Sequence, residues 1–227
     1  MVISLWRSPI ALVAMMGCVL LMLAGCGARD VWASDTEVMA ARYANGGAPE
    51  LTLVTIMNYQ TGRGDHTALF INGQERVVFD PAGSWRLDQN PRRHDVHFGM
   101  SPEAGASFYL SHVRPSHYAV VQRLRVQPVQ ADAALALALE TGGVGPARCA
   151  LSTSRLLRRI GGFEEIGATW WPHLLKQDFD AIPGVERFEL HHDHPEIEML
   201  ARAVQAPLPQ ARPAVTLATV SGAAAPR

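Results

Sequence analysis

The sequence predicts an α+β fold in which strands come first along the chain and helices follow. Three early runs are rich in apolar and β-branched residues, as strands are: 51–57, 66–71 and 76–80. Two later segments, 129–140 and 149–160, repeat their apolar residues with a helical period. We therefore expect a small antiparallel sheet or half-barrel packed against helices.

The strands are joined by a tight turn at first and by a long loop afterwards. Asn72-Gly73 separates the second and third runs, and this dipeptide is the strongest short signal for a hairpin. Residues 81–107 are rich in Gly, Pro, Asn and His, which indicates a long loop with only short elements. Residues 117–126 (HYAVVQRLRV) then predict a further strand.

The two predicted helices differ in character. Residues 129–140 are dominated by Ala and Leu, and Gly142-Gly143 closes the segment. The segment 149–160 has an apolar face at helical spacing, formed by Cys149, Thr153, Leu156, Leu157 and Ile160. Gly161-Gly162 ends it. Cys149 is therefore expected in the first turn of an amphipathic helix, on its core side.

The start of the chain has the layout of a secretory signal. Arg7 precedes an uncharged, mostly apolar run that is shorter than a membrane span. Leu23-Ala24-Gly25-Cys26 resembles the lipobox of bacterial lipoproteins, which are cleaved before the cysteine and carry lipid on its thiol. The resemblance implies a signal peptide over 1–25 and membrane attachment through Cys26. Within this resemblance, Gly27 after the cysteine favours attachment to the outer membrane of the cell envelope, facing the periplasm. The alternative to the lipobox is a plain N-terminal anchor helix.

Composition and charge bound the remainder of the chain. Residues 26–49 have no strong apolar period and are predicted to be a lipidated tether, which leaves a folded domain at 50–204. Residues 205–227 are rich in Ala and Pro and predict a disordered tail. The chain has 20 Lys and Arg against 21 Asp and Glu, a net charge of −1, so its charge does not indicate a nucleic-acid partner.

Cys149 is the cysteine that the predicted processing leaves free. Cys18 departs with the signal and Cys26 carries the lipid, so the mature chain offers Cys149 no disulfide partner. It is either a small buried apolar residue or a nucleophile, whose thiolate a helix N-terminus would stabilise. A nucleophile needs a base and an orienting group. His66 at the head of the second strand and Asp80 at the end of the third are the candidates.

The order of these segments matches a known arrangement. GDHTALFI is followed by RVVFDPAG, by VVQRLRV, by an Ala-rich helix and by the Cys-headed helix, over roughly residues 52–162. This order resembles the circularly permuted papain-like hydrolases related to the NlpC-type cell-wall peptidases and to lecithin:retinol acyltransferase. The resemblance implies a permuted papain-like fold in which Cys149 is the nucleophile, His66 the base and Asp80 the orienting residue.

The same resemblance implies a substrate class. It implies a thiol enzyme of the cell envelope. The enzyme would either cleave amide bonds of peptidoglycan-type peptides or hydrolyse or transfer acyl groups of lipids. Members often carry Tyr and Asn or Asp shortly before the cysteine, whereas VGPAR occupies 144–148 here. The side-chain part of an oxyanion hole is therefore unassigned.

Two other functional classes fit the sequence. One is a non-catalytic envelope lipoprotein that binds a partner in a degenerate papain-like cleft. The other is a metal-binding lipoprotein that uses His191-His192-Asp193-His194, although we expect these residues to form a polar surface loop before a short helix at 195–204. Trp170-Trp171 forms either an aromatic wall of a cleft or ordinary core and edge packing. No cofactor and no catalytic metal are predicted.

The position of Asp80 relative to His66 depends on the hairpin loop. Side chains alternate between the faces of a strand, so two residues an even distance apart share a face only if the loop has an odd number of residues. A two-residue turn at Asn72-Gly73 would turn Asp80 away from His66. A three-residue loop at 71–73 or 72–74 would bring them to one face. We therefore predict an odd loop, with His66 between Asp80 and the Cys149 sulfur.

Overall fold

A computed structural model describes residues 31–208 of the chain. The predicted signal peptide 1–25, the lipidation site Cys26 and residues 209–227 of the predicted tail lie outside the described residues. Among the described residues, no helix is long and apolar enough to cross a membrane.

The described chain forms one antiparallel sheet of seven strands. These are β1 (Glu50–Asn58), β2 (Gly64–Asn72), β3 (Arg76–Phe79), β4 (Arg92–Arg93), β5 (Val96–His97), β6 (His117–Arg125) and β7 (Glu186–Leu190). Their order across the sheet is β4-β5-β3-β2-β1-β6-β7. The long β1 and β2 lie at the centre and are buried along most of their length, so they form the rigid platform of the molecule.

Helices cover both faces of this sheet, which confirms the α+β class. In the described part of the chain they are α1 (Asp35–Ala41), α2 (Pro102–His112), α3 (Pro128–Thr141), α4 (Cys149–Leu157), α5 (Pro172–Asp180) and α6 (Ile197–Ala203). Alternate residues of β1 and β2 point to opposite faces. One face packs with α3, α4 and α5, and the other packs with α2 and α6.

The hairpin between β2 and β3 has an odd loop, as predicted. Asn72 pairs with Arg76, which leaves a three-residue loop at 73–75. Both specific loops considered from the sequence are wrong, because Asn72 belongs to the strand. Its side-chain amide donates hydrogen bonds to the carbonyl oxygens of Gly46 and Ala48, each at 3.3 Å. These tertiary contacts outweigh the local turn preference of Asn-Gly.

Part of the predicted loop 81–107 is regular structure. It contains β4, β5 and the first half of α2. The Ser101 hydroxyl caps α2 by accepting from the Ala104 N–H, and Pro102 occupies the first turn. The strand β7 is a further element that the sequence analysis missed. The helix after it spans Ile197–Ala203, within the predicted range 195–204.

Residues outside the predicted range 50–204 also pack on the sheet. Ser34 and Glu37 form a capping box at the start of α1, and Val38 of this helix is buried. On the other side, Gln205 is buried and its side chain accepts a hydrogen bond from Arg76 at 3.0 Å. The Ala48 N–H donates to the Leu208 carbonyl at 2.9 Å, which joins the two flanking segments.

Candidate active site

Cys149 is the first residue of α4 and is held by an unusual backbone turn. Arg148 precedes it at the N-cap, and Ala147 before that has a φ of +60°, a conformation rare for residues other than glycine. The Cys149 side chain lies at the floor of a cleft and is only 5% exposed. The helix therefore presents the sulfur to the cleft with its first N–H groups around it.

The surroundings of the Cys149 sulfur favour a thiolate. Burial raises the pKa of the thiol, but the hydrogen bond from His66 and the charge of His66 lower it. The backbone N–H groups of Thr67 and Ala150 also donate to the sulfur and lower the pKa further. The net result is a pKa below the ordinary thiol value, as expected for a reactive cysteine at a helix N-terminus.

His66 lies between the thiol and a buried carboxylate. Its Nε2 is 2.7 Å from Asp80 Oδ1, so Nδ1 is the ring nitrogen left for Cys149. The His66 side chain is 17% exposed and the Asp80 side chain 0%. Burial alone would lower the pKa of His66, but the hydrogen bonds and charges of Asp80 and Cys149 raise it to about 10.

The strand register brings Asp80 to His66. Leu69 pairs with Phe79, so continuing the register sets Asp80 across from Ala68, diagonal to His66 on one face. A bulge opposite Ile56 and Met57 adds an extra residue beside His66 and bends the strand there. Burial raises the pKa of Asp80, but its hydrogen bond and charge contact with His66 lower it below the ordinary value.

Gly83 makes room for the Asp80 carboxylate. The Gly83 N–H donates to the Asp80 carbonyl at 3.0 Å and closes a tight turn. A Cβ atom at Gly83 would lie 1.9 Å from Asp80 Oδ2 and 2.1 Å from its Cγ. Any side chain at position 83 therefore collides with the carboxylate that orients His66.

Asp95 connects the two loops that carry the candidate residues. Its backbone carbonyl accepts from the Asp80 N–H at 2.8 Å. Its carboxylate Oδ2 accepts from Ala82 N–H at 3.3 Å and from Val144 N–H at 2.8 Å. The loop after Asp80 and the loop before Cys149 thus share one carboxylate. No local sequence pattern predicts this link, since the bonded residues are far apart along the chain.

Two further histidines adjoin Asp80. The His112 ring stacks on His66, with centroids 5.5 Å apart and planes 8° from parallel. His97 is buried in the β5 strand, and burial lowers its pKa to about 4 even though the charge of Asp80 opposes this. Neither histidine has a spacing that predicts this position, because α2 and β5 reach the site only through tertiary packing.

A cleft of about 380 Å³ opens above Cys149. It is lined by Gly64, Asp65, Ala147, Cys149, Trp170, Trp171 and Pro172. Trp170 is 51% exposed and Trp171 is 55% exposed, so this pair forms an aromatic wall of the cleft and does not belong to the core. The Arg148 guanidinium lies 5.8 Å from the centre of the Trp170 ring and adds a positive charge at the rim.

A larger cavity lies elsewhere in the molecule. It measures about 760 Å³ and is bordered by residues 31–33, by α1 and by residues 86–92. Its lining includes none of Cys149, His66 and Asp80. The smaller cleft is the one lined by Cys149, so it is the candidate active site.

The histidines of 191–194 point in different directions. His191 Nδ1 hydrogen bonds to the Tyr59 hydroxyl at 2.7 Å, while His194 Nδ1 accepts from the Glu196 N–H at 3.1 Å. Over residues 31–208, the side chains close enough together to hold a metal ion are His66, Asp80 and His112. The segment is a polar surface loop, as predicted.

Comparisons with known proteins return nothing for this chain. No model of a protein family matches it, and neither a curated protein nor a solved structure does.

Proposed function

We propose that the protein is a lipid-anchored thiol hydrolase or acyltransferase of the bacterial cell envelope. The observation that supports this best is the chain of contacts from the buried Asp80 carboxylate through His66 to the Cys149 sulfur. Each group has the position that nucleophilic catalysis requires: a nucleophile, a base in contact with it, and a third group that orients the base. The aromatic-walled cleft gives a substrate access to the sulfur.

The proposed reaction proceeds through a covalent thioester. The Cys149 thiolate attacks the carbonyl carbon of an amide or ester, and the imidazolium of His66 gives its Nδ1 proton to the leaving group. His66 is then a neutral base and removes a proton from water or from another acceptor, which attacks the thioester and releases the acyl group. Asp80 keeps Nε2 protonated, so Nδ1 is the nitrogen that exchanges protons with substrate.

Backbone groups supply the oxyanion stabilisation in this proposal. The first N–H groups of a helix have no partner within the helix. At α4 these include the N–H of Cys149, and the helix dipole adds positive potential at the same point. In this proposal the arrangement takes the place of the Tyr and Asn or Asp side chains, which the segment VGPAR at 144–148 lacks.

The permuted papain-like fold remains part of the proposal. His66 lies on β2 and Asp80 directly follows the neighbouring antiparallel strand β3, while Cys149 comes late in the chain at the head of a helix that packs on the same sheet. The substrates in this proposal are amide bonds of peptidoglycan-type peptides or acyl groups of lipids. Trp170 and Trp171 favour a substrate that presents an apolar or ring surface beside the scissile bond.

The lipid anchor has its own test. The Cys26→Ser variant should accumulate as an unprocessed precursor, because the modified thiol is what the processing step recognises. Mass spectrometry of the membrane fraction should find a diacylglycerol-modified Cys26 at the start of the wild-type protein. Cys18→Ser is the matched control and should mature normally. Normal maturation of Cys26→Ser would contradict the anchor.

The pH dependence of thiol labelling tests the proposed nucleophile. Because His66 and two backbone N–H groups lower the pKa of Cys149, the wild-type thiol should react with iodoacetamide at a lower pH than an ordinary thiol does. In His66→Gln the hydrogen bond and charge of His66 are lost while burial still raises the pKa of Cys149, so labelling should require a more alkaline buffer than in the wild type. The midpoint of the labelling profile should therefore move upward in pH.

The control for this experiment is His192→Gln, which changes an exposed histidine away from the cleft. Its labelling profile should match that of the wild type. If the wild-type profile instead has the midpoint of an ordinary thiol and His66→Gln does not change it, the cleft does not activate Cys149. The non-catalytic binding lipoprotein would then be the better description.

A further inference from the structure

We propose that His66, His112 and Asp80 form a binding site for a transition-metal ion of the zinc type, and that a bound ion inhibits the thiol chemistry. One ligand atom from each of the three residues lies within 4.8 Å of the others. The binding step is independent of the proposed function, whereas the inhibition rests on it. The sulfur of Cys149 is not a ligand, since it faces the other ring nitrogen of His66.

The three side chains are of the kinds that zinc prefers, and their ligand atoms lie near the spacing that it needs. Imidazole nitrogen and carboxylate oxygen bind Zn²⁺ at about 2 Å, so tetrahedral ligands stand roughly 3.4 Å apart. His66 Nε2 and Asp80 Oδ1 are 2.7 Å apart, and small rotations of the side chains would open this spacing. Two histidines and one carboxylate leave a fourth position for water, as open zinc sites do.

His112 is already held as a metal ligand would be. Its Nδ1 is 2.8 Å from the Phe108 carbonyl oxygen, to which it can only donate. This bond fixes the proton on Nδ1 and leaves the Nε2 lone pair free for an ion. The stacked arrangement with His66 places the two rings side by side at the same carboxylate.

One carboxylate oxygen of Asp80 is available to bind an ion. Its Oδ1 contacts His66, but Oδ2 is buried and has no hydrogen-bond partner among the described residues. A buried carboxylate oxygen without a partner is costly, and a cation would satisfy it. This unpartnered oxygen is an observation separate from the histidine geometry.

The bound ion would act by taking the place of one proton. Coordination at His66 Nε2 displaces the proton that this nitrogen donates to Asp80, and that proton leaves to solvent. Nδ1 keeps its own proton, because a neutral metal-bound imidazole is a far weaker acid than an imidazolium, so it cannot protonate the leaving group. The thioester would therefore not form, and turnover would stop until the ion dissociates.

Zinc and cobalt titrations test the site directly. Calorimetry with zinc chloride should find one ion per chain in the wild type and in Cys149→Ser, because the site uses no sulfur. His112→Asn keeps a donor toward the Phe108 carbonyl but removes the ligand, so its Kd should rise at least about tenfold. His192→Asn, in the exposed 191–194 loop, is the matched control and should bind as the wild type does.

The visible spectrum of the cobalt complex tests whether the Cys149 sulfur is a ligand of the ion. The cobalt complex of the wild type should show visible bands without a thiolate charge-transfer band. A thiolate band that disappears in Cys149→Ser, or unchanged affinity in a folded His112→Asn, would overturn the proposal. If His112→Asn does not fold, zinc should slow the modification of His112 by diethyl pyrocarbonate in the wild-type protein; an unchanged rate would also overturn it.

The inhibition is measured separately as turnover with and without zinc. Each variant is compared with its own zinc-free rate, so a lower basal rate does not affect the result. Zinc should stop turnover by the wild type reversibly, and a chelator should restore it. Full wild-type turnover with the site saturated would overturn the inhibitory role, while the titration of Cys149→Ser still reports on binding alone.

Discussion

Cys149→Ser should lose hydrolysis of an activated acyl ester by at least about three orders of magnitude, since removing the nucleophile of a comparable triad costs still more. The physical reason is acidity. The groups around Cys149 lower the pKa of its thiol, but a serine hydroxyl is a far weaker acid and stays protonated in the same surroundings. Turnover of p-nitrophenyl esters and of muropeptide amides are the two assays, one for each proposed substrate class.

The fold should survive this change. The hydroxyl is close in size to the thiol, and the N–H groups of Thr67 and Ala150 that donate to sulfur can donate to oxygen as well. The free energy of unfolding, measured by thermal denaturation, should therefore change by no more than about 1 kcal/mol. Ser152→Ala, one turn further along α4, is the control and should keep full turnover. Wild-type turnover in Cys149→Ser would exclude the thiol mechanism.

Gly83→Ala should reduce turnover by about 100-fold although it touches neither the nucleophile nor the base. The new methyl group would lie 1.9 Å from Asp80 Oδ2 and 2.3 Å from Oδ1, so the carboxylate has to move. His66 then loses its partner at Nε2, and its pKa falls because that hydrogen bond and charge raise it. The imidazole also becomes free to turn away from the sulfur.

Gly145→Ala is the matched control for Gly83→Ala. Position 145 lies in the loop just before Cys149, but a Cβ atom there has no neighbour within 4 Å. Turnover and the labelling profile of Cys149 should stay at wild-type values. The downfield proton resonance of His66 Nε2 should be present in Gly145→Ala and lost in Gly83→Ala. Equal turnover in the two variants would show that Asp80 does not orient His66.

Local sequence pattern predicts the parts of the site that depend on alternation and periodicity. The period of the Cys149 segment identifies the helix. Side-chain parity along the hairpin shows that His66 and Asp80 share a face only if the connecting loop is odd, as it is. The register itself was not predictable, because Asn72 is drawn into the strand by carbonyl groups of residues 46 and 48. Those contacts are tertiary and have no local signature.

The missed features depend on packing between distant segments. His112 reaches His66 because α2 crosses the face of the sheet, although Ser101 and Pro102 are start signals that would have located this helix. The exposure of Trp170 and Trp171 is likewise a tertiary property, since a tryptophan pair has the same sequence appearance in a core and in a cleft. The need for glycine at position 83 can be inferred only once the position of the Asp80 carboxylate is known.

The long chain separation between the thiol and its partners makes the fold itself an activating step. Cys149 and His66 are 149 − 66 = 83 residues apart, so an unfolded chain does not bring them together. The thiol then has ordinary acidity and stays mostly protonated at neutral pH. The pKa of Cys149 falls only when β2 and β3 have paired and α4 has docked at β2, because the lowering groups lie on these elements. Under the proposed function, a chain exported before folding would therefore carry an inactive nucleophile, and misfolded copies would lack the activated thiol.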